Sequence, residues 1–370
     1  MKPIRLGMVG GGQGAFIGPV HRIAARLDGH YQIVAGALSS DPARAAASAA
    51  EIGIAPDRAY ADWAQMARAE AARPDGIEAV AIVTPNHLHA GPIRAFLEAG
   101  IHVICDKPLT ATVAEAEALA QVRPARSARF LLTHTYSGYP MVRRARAIVA
   151  SGALGQVRRV HAEYLQDWLT DPTDNKQAAW RVDPAQAGGG AVGDIGTHAF
   201  HLSGFVTGLA PQALSARLHS FVPGRPVDDD ATVQLRLEGR AFATLWASQI
   251  AVGRENDLSI AVYGTKAGLE WRHSDPETLL FTPFGAPTQR LRRAGPGPCA
   301  EAAETRLPPG HPEGYLEAFG TLYTDFAALL RGGSSPDLPG LSDGLAGVRF
   351  VAAAARSSQA EGAWLPLDPA

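Results

Sequence analysis

Short apolar runs alternate with alanine-rich amphipathic stretches over the first third of the chain. Continuous apolar runs predict strands, whereas apolar positions that recur every three or four residues predict helices. The strand-like runs lie at 4–9, 31–38, 79–83, 101–105 and 129–133, and the helical stretches lie at 41–51, 62–70, 87–99 and 113–122. Strands that alternate with helices form parallel sheets covered on both faces. We therefore expect a doubly wound α/β domain over residues 1–135.

The pattern changes after about residue 150. A helix ends at 151–155, a strand with alternating apolar and polar positions follows at 157–167, and a polar segment spans 168–193. Further strand-like runs lie at 213–221, 231–237, 241–249, 257–263 and 268–272. Their close spacing favours antiparallel hairpins. We expect a second α/β domain over 136–370 with a large open, mostly antiparallel sheet, closing helices at 312–331 and 342–358 on one face, and a second subunit on the other.

A glycine-rich turn follows the first strand and precedes a helix: Gly10-Gly11-Gly12-Gln13-Gly14-Ala15-Phe16-Ile17-Gly18. Strand, glycine turn and helix together are typical of a dinucleotide-binding unit, in which a pyrophosphate approaches the start of the helix. Gly10 and Gly12 fit the first two positions of the G-x-G-x-x-G pattern. The third is Gly18, with five residues between it and Gly12 where two are usual, or alternatively Gly14. Gln13, Gly14, Phe16 and Ile17 are further candidate cofactor contacts, and an ordinary strand-to-helix loop is the structural alternative.

The end of the second strand decides which dinucleotide is bound. NAD enzymes usually place an acid there for the ribose 2′-hydroxyl. Ser39 stands at that position, followed by Ser40, and Arg44 on the next helix could pair with a 2′-phosphate. Asp41 is expected to cap that helix, with Pro42 at its first position. NAD and NADP therefore both remain open as the cofactor.

Two polar blocks could handle a proton during alcohol oxidation. Lys107, in Asp106-Lys107-Pro108, follows an apolar strand, so its ammonium is expected at the carboxyl edge of the sheet, where it could stabilise alkoxide charge. Asp194 and His198 lie four residues apart, on one face of a helix that starts there. The imidazole of His198 suits a general base, and Asp194 could orient it. A surface lysine, a capping aspartate and a structural histidine are the alternatives.

Composition excludes several classes of function. The 370 residues carry a net charge of −2, which does not favour binding to nucleic acid or to an anionic membrane. The runs 228–230 (three aspartates) and 290–293 (three arginines around a leucine) are interpreted as a solvated turn and a solvated hairpin. Two cysteines do not form a disulfide framework. With a strand at the N-terminus and no long apolar run, we expect a cytoplasmic protein.

Metal binding has to be considered because Asp194, His198 and His201 resemble a ligand set. None of the usual zinc spacings appears, however: the chain has neither paired cysteines nor a His-Glu-x-x-His motif. The sequence therefore predicts no metal, and His201 is expected to lie behind the site.

Four blocks in this order resemble the glucose–fructose oxidoreductase / inositol dehydrogenase / MocA (Gfo/Idh/MocA) family. They are the glycine turn at 10–18, the run 83–89 (Val-Thr-Pro-Asn-His-Leu-His), Asp106-Lys107-Pro108, and Gly193-Asp194-Ile195-Gly196-Thr197-His198. The resemblance implies a Rossmann domain, an open C-terminal sheet that forms a homodimer or homotetramer, and an NAD(P)-dependent sugar or cyclitol dehydrogenase. Two features depart from the family: the glycine turn is longer, and Asp106 replaces a glutamate.

The resemblance also implies further site residues. The loop with Thr84, Pro85, Asn86 and His89 would touch the nicotinamide ribose, with Asn86 as a helix N-cap in the structural alternative, and Asp106 would be a cofactor contact. The family often uses an auxiliary tyrosine, for which Tyr136 and Tyr139 are candidates. Position alone makes the following residues of the polar segment candidates for substrate binding: Trp168, Lys176, Trp180 and Arg181.

The leading hypothesis is an oxidoreductase that transfers a hydride between a hydroxyl-bearing carbon of a sugar, sugar derivative or inositol and the nicotinamide. Two alternatives remain. Some relatives use the bound cofactor cyclically to process glycosides, and others are non-catalytic nucleotide-binding regulators. Net formation of NAD(P)H would distinguish the dehydrogenase from the cyclic enzyme. The presence of Lys107, Asp194 and His198 argues against the regulator.

Overall fold

The computed structural model describes residues 2–171, 188–302 and 305–367. Its strands are β1 Ile4–Gly10, β2 Tyr31–Ala37, β3 Ala79–Val83, β4 His102–Cys105, β5 Phe130–Leu132, β6 Val157–Leu165, β7 Pro211–His219, β8 Asp230–Leu237, β9 Phe242–Ser248, β10 Asp257–Gly264, β11 Ala267–Arg272, β12 Thr278–Pro283, β13 Gln289–Arg292 and β14 Leu365–Pro366. Its α-helices are α1 Ile17–Leu27, α2 Pro42–Glu51, α3 Trp63–Ala72, α4 Ala90–Glu98, α5 Val113–Ala120, α6 Pro140–Ala150, α7 Thr197–Thr207, α8 Tyr315–Leu330 and α9 Leu341–Gln359.

The chain forms two compact units. The first contains the residues up to Thr135 together with Leu316–Leu345, and the second contains Tyr136–Tyr315 together with the residues from Ala346 onward. Sequence analysis places both closing helices in the second domain, but α8 packs in the first unit. The ring of Tyr323 on α8 lies 5.3 Å from the ring of Tyr31 on β2. An amphipathic pattern shows that a helix has a buried face but not which sheet it covers.

The first unit is the predicted Rossmann-type fold. Its five strands are parallel and lie in the order β2-β1-β3-β4-β5. The middle strand, β3, is buried along its whole length, because helices cover both faces of such a sheet. All of these strands were predicted, each to within two residues at either end. The helix predicted at 87–99 is divided into a short 3₁₀ helix, Asn86–Leu88, and α4.

The second unit contains a nine-stranded sheet in the order β13-β12-β11-β10-β6-β9-β8-β7-β14. The pair β6–β9 is parallel and the other neighbours are antiparallel, so the predicted mostly antiparallel sheet is confirmed. Along β8 the residues alternate between buried and exposed, as a sheet with one covered face requires. α6 and α7 pack against each other, and α7 also packs on β6. Sequence analysis did not predict β12, β13 or β14.

The arginine-rich run at 290–293 is only partly the solvated hairpin that was expected. Arg290 lies on β13 and is exposed, whereas Leu291 is buried. Arg293 is 2% exposed, and its guanidinium donates to the carboxylates of Glu277 and Glu313. A buried guanidinium needs such partners. No helix in the described part of the chain is both long and apolar enough to cross a membrane.

Candidate active site

The glycine turn after β1 lies close to the ends of neighbouring segments. Gly10 and Gly11 have φ of +79° and +72°, a backbone conformation that residues other than glycine rarely adopt. A Cβ on Gly10 would lie 3.1 Å from the backbone nitrogen of Thr84, and a Cβ on Gly12 would lie 2.7 Å from the carbonyl oxygen of Leu38. Glycine at these positions leaves the backbone of the turn free of side chains, as the approach of a pyrophosphate requires.

Gly18, rather than Gly14, has the packing expected of the third glycine of the pattern. A Cβ on Gly18 would lie 2.4 Å from the carbonyl oxygen of Gly11 and 2.5 Å from its Cα. α1 can therefore approach the turn this closely only because residue 18 is glycine, and close helix packing is the role of the third glycine. Gly14 has a φ of +78°, but its Cβ would meet no atom within 4 Å. These residues fit a bound dinucleotide.

The other residues of the turn contact α2 or face solvent. The backbone nitrogen of Gln13 donates to Ser48 Oγ (3.1 Å), and its side-chain nitrogen donates to a carboxylate oxygen of Glu51 (3.0 Å). Phe16 is 59% exposed, and α1 begins directly after it at Ile17. Gln13 therefore ties the turn to α2, while the ring of Phe16 stays open to a ligand.

The segment after β2 has the predicted helix cap. The carboxylate of Asp41 accepts a hydrogen bond from the backbone nitrogen of Arg44 (2.7 Å), and Pro42 is the first residue of α2. Ser39 Oγ accepts from the backbone nitrogen of Asp41 (3.1 Å). Ser40 and the Arg44 side chain are exposed. The acid typical of NAD enzymes is thus replaced by a serine whose hydroxyl oxygen supports the turn, with an exposed guanidinium on the next helix.

The loop after β3 is held by backbone and side-chain contacts. Thr84 Oγ1 donates to the carbonyl oxygen of Leu88 (3.3 Å), and Pro85 precedes the short 3₁₀ helix. Asn86 is buried inside that helix and does not cap α4, because the cap position of α4 is taken by His89. The N-cap alternative for Asn86 is therefore not what the structure shows.

His89 joins two loops at the carboxyl edge of the sheet. Its ring is fully buried, with Nδ1 2.8 Å from the carbonyl oxygen of Pro108 and Nε2 2.9 Å from that of Thr84. Burial lowers the pKa of His89, although the two carbonyls and the charge of Asp106 act in the opposite direction. Both nitrogens face protein atoms, so His89 supports the loop instead of contacting a cofactor directly, which corrects the expectation from sequence.

Asp106 and Lys107 follow β4 at the same edge. Thr133 Oγ1 donates to the Asp106 carboxylate (3.0 Å), and Nε2 of the buried His21 on α1 lies 3.8 Å from it. Burial would raise the pKa of Asp106, but the contact with His21 and the charges of His21, Lys107 and His89 lower it to about 2. The carboxylate is therefore ionised and directed at protein groups, so the structure does not support the expected cofactor contact. Lys107 is partly exposed.

In the second unit, Asp194 lies within a π-helical turn, Val192–Gly196, that leads directly into α7. The predicted helix is present, but its first turn is wider than an α-helical one, and such turns are frequent at functional sites. Gln249 Nε2 donates to the Asp194 carboxylate (3.1 Å). His198, on the first turn of α7, is 8% exposed.

Two tyrosines surround the imidazole of His198. The ring of Tyr136 lies edge-on at 5.0 Å between centroids, and the ring of Tyr164 lies at 5.7 Å. The two hydroxyls are 2.7 Å apart, and that of Tyr164 donates to Asn256 Oδ1 (3.2 Å). Because an amide oxygen only accepts, Tyr136 must donate to Tyr164. Burial raises the pKa of Tyr136 well above its usual value, so this residue stays protonated while its ring packs edge-on against His198.

Asn256 also connects the Tyr136–Tyr164 pair to a second set of hydrogen bonds, through His273 and Tyr139. The carbonyl oxygen of Asn256 lies 2.8 Å from His273 Nδ1, which must therefore carry the proton. Burial lowers the pKa of His273, so its Nε2 is free to accept from the Tyr139 hydroxyl (2.9 Å). Tyr139 thus binds His273, whereas Tyr136 is the tyrosine whose ring packs beside His198. His201 stacks on Phe205, with ring centroids 5.8 Å apart.

The described part of the polar segment begins with an exposed aromatic residue. Trp168 is 37% exposed, and its Nε1 donates to Gln166 Oε1 (2.9 Å). The Gln166 amide nitrogen in turn donates to Asn256 Oδ1 (2.6 Å). Trp168 therefore belongs to the same hydrogen-bond network as Tyr164, through Gln166 and Asn256. The other candidates from this segment, Lys176, Trp180 and Arg181, lie outside the described residues.

The aspartate run at 228–230 is not the solvated turn that was expected. Asp229 is fully buried and accepts hydrogen bonds from the backbone nitrogens of Phe221 and Val222. The Asp228 carboxylate accepts from the backbone nitrogens of Gly190 and Val192, at the start of the π-helical turn, and Asp230 accepts from Trp246 Nε1 (2.9 Å). A run of charges does not show whether backbone amides from elsewhere in the chain will surround it.

Sequence reasoning missed Tyr164, Gln249, Asn256 and His21. Tyr164 could have been found, because it shares the buried face of β6 with Val160 and Ala162. The other three carry no local signal, since their partners come from distant segments. In the part of the chain that the structure describes, no group of three or more His, Cys, Asp or Glu residues is arranged to hold a metal ion.

Comparison with known proteins gives matches over both units. Residues 4–134 match the oxidoreductase family model with an NAD-binding Rossmann fold, and residues 142–270 match the GFO/IDH/MocA C-terminal domain. An oxidoreductase structure from Sinorhizobium meliloti is 51% identical, covers 99% of this chain and 100% of its own, and superposes with a TM-score of 0.91. An inositol dehydrogenase homologue from Azotobacter vinelandii, complexed with NADH and myo-inositol, is 36% identical, with coverages of 99% and 98% and a TM-score of 0.92. The levoglucosan dehydrogenase of Pseudarthrobacter phenanthrenivorans is 29% identical over 99% of each chain.

Proposed function

Because this chain belongs to the Gfo/Idh/MocA family of NAD-binding oxidoreductases, we propose that it oxidises a hydroxyl-bearing carbon of a sugar, sugar derivative or inositol. The observation that carries this proposal is the packing of the glycine turn, in which neighbouring atoms leave no room for a Cβ on Gly10, Gly12 or Gly18. The full-length similarity to a protein complexed with NADH and myo-inositol supports the substrate class.

The cofactor would be held by the turn at 10–18, by the segment with Ser39 and Arg44, and by the loop from Thr84 to Asn86. When bound, the nicotinamide supplies the hydride acceptor for oxidation. Ser39 provides no carboxylate against a 2′-phosphate, and the exposed guanidinium of Arg44 can pair with one. We therefore expect NADP to be accepted, and we expect Arg44→Gln to weaken NADP binding more than NAD binding in calorimetric titrations.

His198 acts as the general base in this proposal. As the carbon–hydrogen bond breaks, its imidazole takes the hydroxyl proton, and in the reverse direction it returns the proton to the carbonyl oxygen. Tyr136 and Tyr164 fix the plane of the imidazole through ring contacts. Asp194, held by Gln249, orients the imidazole or a neighbouring hydroxyl of the substrate.

Lys107 acts on the oxygen of the reacting carbon. Its ammonium donates a hydrogen bond to that oxygen and stabilises the negative charge that develops when the proton leaves. The adjacent Asp106 does not contact the substrate in this proposal, since its carboxylate faces His21 and Thr133. Lys107 and His198 thus have separate tasks, one on charge and one on the proton.

The test is the rate of NAD(P)H formation, followed by the absorbance of the reduced nicotinamide, with NAD or NADP and a panel of inositols, aldoses, glycosides and sugar acids. We expect one narrow group of polyols to react. Lys107→Ala and His198→Ala should each lower kcat by about 10²- to 10⁴-fold, with NADH binding unchanged. His201→Gln, three residues along the same helix, is the matched control and should behave as wild type.

Three results would contradict the proposal. Turnover of Lys107→Ala at the wild-type rate would remove the assigned role of the ammonium. Cleavage of glycosides without net NAD(P)H would instead indicate cyclic use of the cofactor. Nucleotide binding without any reaction across the panel would indicate a regulator.

The second unit is also proposed to join two or more copies of the chain. Phe242, Tyr263 and Leu280 are exposed on three different strands, each at a position that alternates with buried neighbours. They therefore share the outward face of the sheet, which a second subunit could cover. Light scattering after size exclusion would show a dimer or tetramer, and a monomer would contradict this part of the proposal.

A further inference from the structure

Three consecutive backbone amides, those of the two residues before the π-helical turn and of its first residue, donate to a single residue, Asp228. The nitrogen of Gly190 donates to Oδ1 (2.9 Å), that of Ala191 to the backbone carbonyl oxygen (2.8 Å), and that of Val192 to Oδ2 (2.7 Å). One residue from the loop before β8 thus satisfies the amides at the start of the helical segment that carries Asp194.

The sequence around these amides explains why their acceptor comes from so far along the chain. The first amides of a helix have no acceptor within the helix, and the side chain of the preceding residue usually supplies one. Here residues 188–190 are all glycine and have no side chain to offer. A Cβ on Gly190 would lie 1.9 Å from the carbonyl oxygen of Asp228, so only glycine allows this contact.

The contacts reach Asp194 by two routes. Its backbone nitrogen donates to the carbonyl oxygen of Gly190 (2.9 Å), whose own amide is held by Asp228. Its carboxylate accepts from Gln249, and the backbone nitrogen of Gln249 donates to the carbonyl oxygen of Asp229 (2.9 Å). Asp228 and the backbone carbonyl of Asp229 therefore fix the backbone and the side chain of Asp194, four residues before His198.

We propose that Asp228 is a positioning residue for Asp194 and His198, a role that rests on the dehydrogenase function proposed above. An ionised carboxylate offers an acceptor to each of two amides. An asparagine has the same shape but offers only one, and it would direct an amide N–H at the other backbone N–H. Asp228→Asn therefore releases one amide at the start of the turn and displaces the residues that follow.

The experiment compares Asp228→Asn with Asp230→Asn, which is the same chemical change two residues away. The Asp230 carboxylate accepts a hydrogen bond from Trp246 Nε1, and an asparagine oxygen can still accept it. We expect Asp228→Asn to lower kcat by about 10- to 100-fold, as sub-ångström to ångström displacement of catalytic groups does. Its dissociation constant for NADH, measured by fluorescence titration, should stay within about twofold of wild type. Asp230→Asn should keep the wild-type kcat.

Hydrogen–deuterium exchange without substrate separates this inference from the proposed function. In Asp228→Asn the peptide that contains residues 188–198 should exchange faster than in wild type, and in Asp230→Asn it should not. If wild type oxidises no polyol, the proposed function fails, while the exchange result still decides whether Asp228 holds these amides. If Asp228→Asn does not fold, Asp228→Glu keeps the charge and both acceptors one methylene further out, and the same loss of kcat is expected.

Two outcomes would overturn the inference. One is wild-type kcat in Asp228→Asn, or in Asp228→Glu if the asparagine variant does not fold. The other is an equal loss of kcat in Asp230→Asn, which would show that any change in the run disturbs the fold. A loss of kcat in Asp228→Asn together with faster exchange at 188–198 supports it.

Discussion

Replacement of Gly18 by alanine tests whether this residue sets the approach of α1 to the cofactor turn. A Cβ at residue 18 would lie 2.4 Å from the carbonyl oxygen of Gly11, whereas ordinary contact begins at 3.4 Å. The two segments must therefore separate by about 1 Å. The atoms in the way belong to the backbone, so no side-chain rotation can relieve the contact.

The sign of the stability change follows from two opposing magnitudes. Alanine is favoured over glycine inside a helix by up to about 1 kcal/mol. Overpacking costs about 1–3 kcal/mol. We expect Gly18→Ala to be destabilised by roughly 0–2 kcal/mol. The displaced turn is the one proposed above to bind the pyrophosphate, so the affinity of the variant for NADH should fall by about tenfold or more.

Urea unfolding and calorimetric titration with NADH measure these two effects. Gly347→Ala is the matched control for stability, because it is a helical glycine whose Cβ would meet no atom within 4 Å. We expect it to be as stable as wild type or more so. Gly14→Ala tests the alternative third glycine and should retain more NADH affinity than Gly18→Ala. Wild-type affinity and raised stability in Gly18→Ala would refute the reasoning.

Three further predictions concern stability and pH. Because the pKa of Asp106 is lowered to about 2, its ionised form adds about 2 kcal/mol to the free energy of unfolding above the unfolded-state pKa, and this stability is lost as pH falls from about 4 toward 2. The free energies of unfolding of wild type and Asp106→Asn, measured in urea across that range, should therefore converge, and a constant difference between them would count against this prediction. Arg144 is fully buried and donates to four backbone carbonyls, so Arg144→Met should cost about 3 kcal/mol on denaturation; a change below about 0.5 kcal/mol would contradict this. Tyr136→Phe keeps the ring beside His198 but loses the hydrogen bond to the Tyr164 hydroxyl that holds this ring, so kcat should fall about tenfold. The pH profile should not move, since the raised pKa of Tyr136 keeps it out of the neutral range, and a shifted profile would show that it titrates in the reaction.

Local patterns predicted most of the secondary structure and several of the site's segments. The apolar runs located every strand of the first sheet, and Asp41 was correctly identified as the cap of α2. Such features depend on neighbouring residues only. For the same reason β12 and β13 were missed: the apolar run of β12 is three residues long, at 279–281, and β13 has a single apolar residue, Leu291.

Features that depend on contacts between distant segments could not be predicted. The glycine pattern alone favoured Gly18 but left Gly14 open as an alternative, and the close contact of Gly18 with Gly11 separates the two. Asp228 and Arg293 appeared solvated because each belongs to a charged run, yet their partners come from other parts of the chain. The sequence could not show that hydrogen bonds from distant segments offset the cost of burying these two charged side chains.

By itself, the sequence determined the order of strands and helices, the glycine turn, and the residue types that can carry a proton, because period and chemistry are written locally in a chain. Only the tertiary structure decided that α8 packs on the first sheet, that Asp106 faces His21, and that Asp228 holds the amides ahead of Asp194. Each of these depends on which buried polar group or apolar face finds a partner, and that partner is chosen by packing in three dimensions.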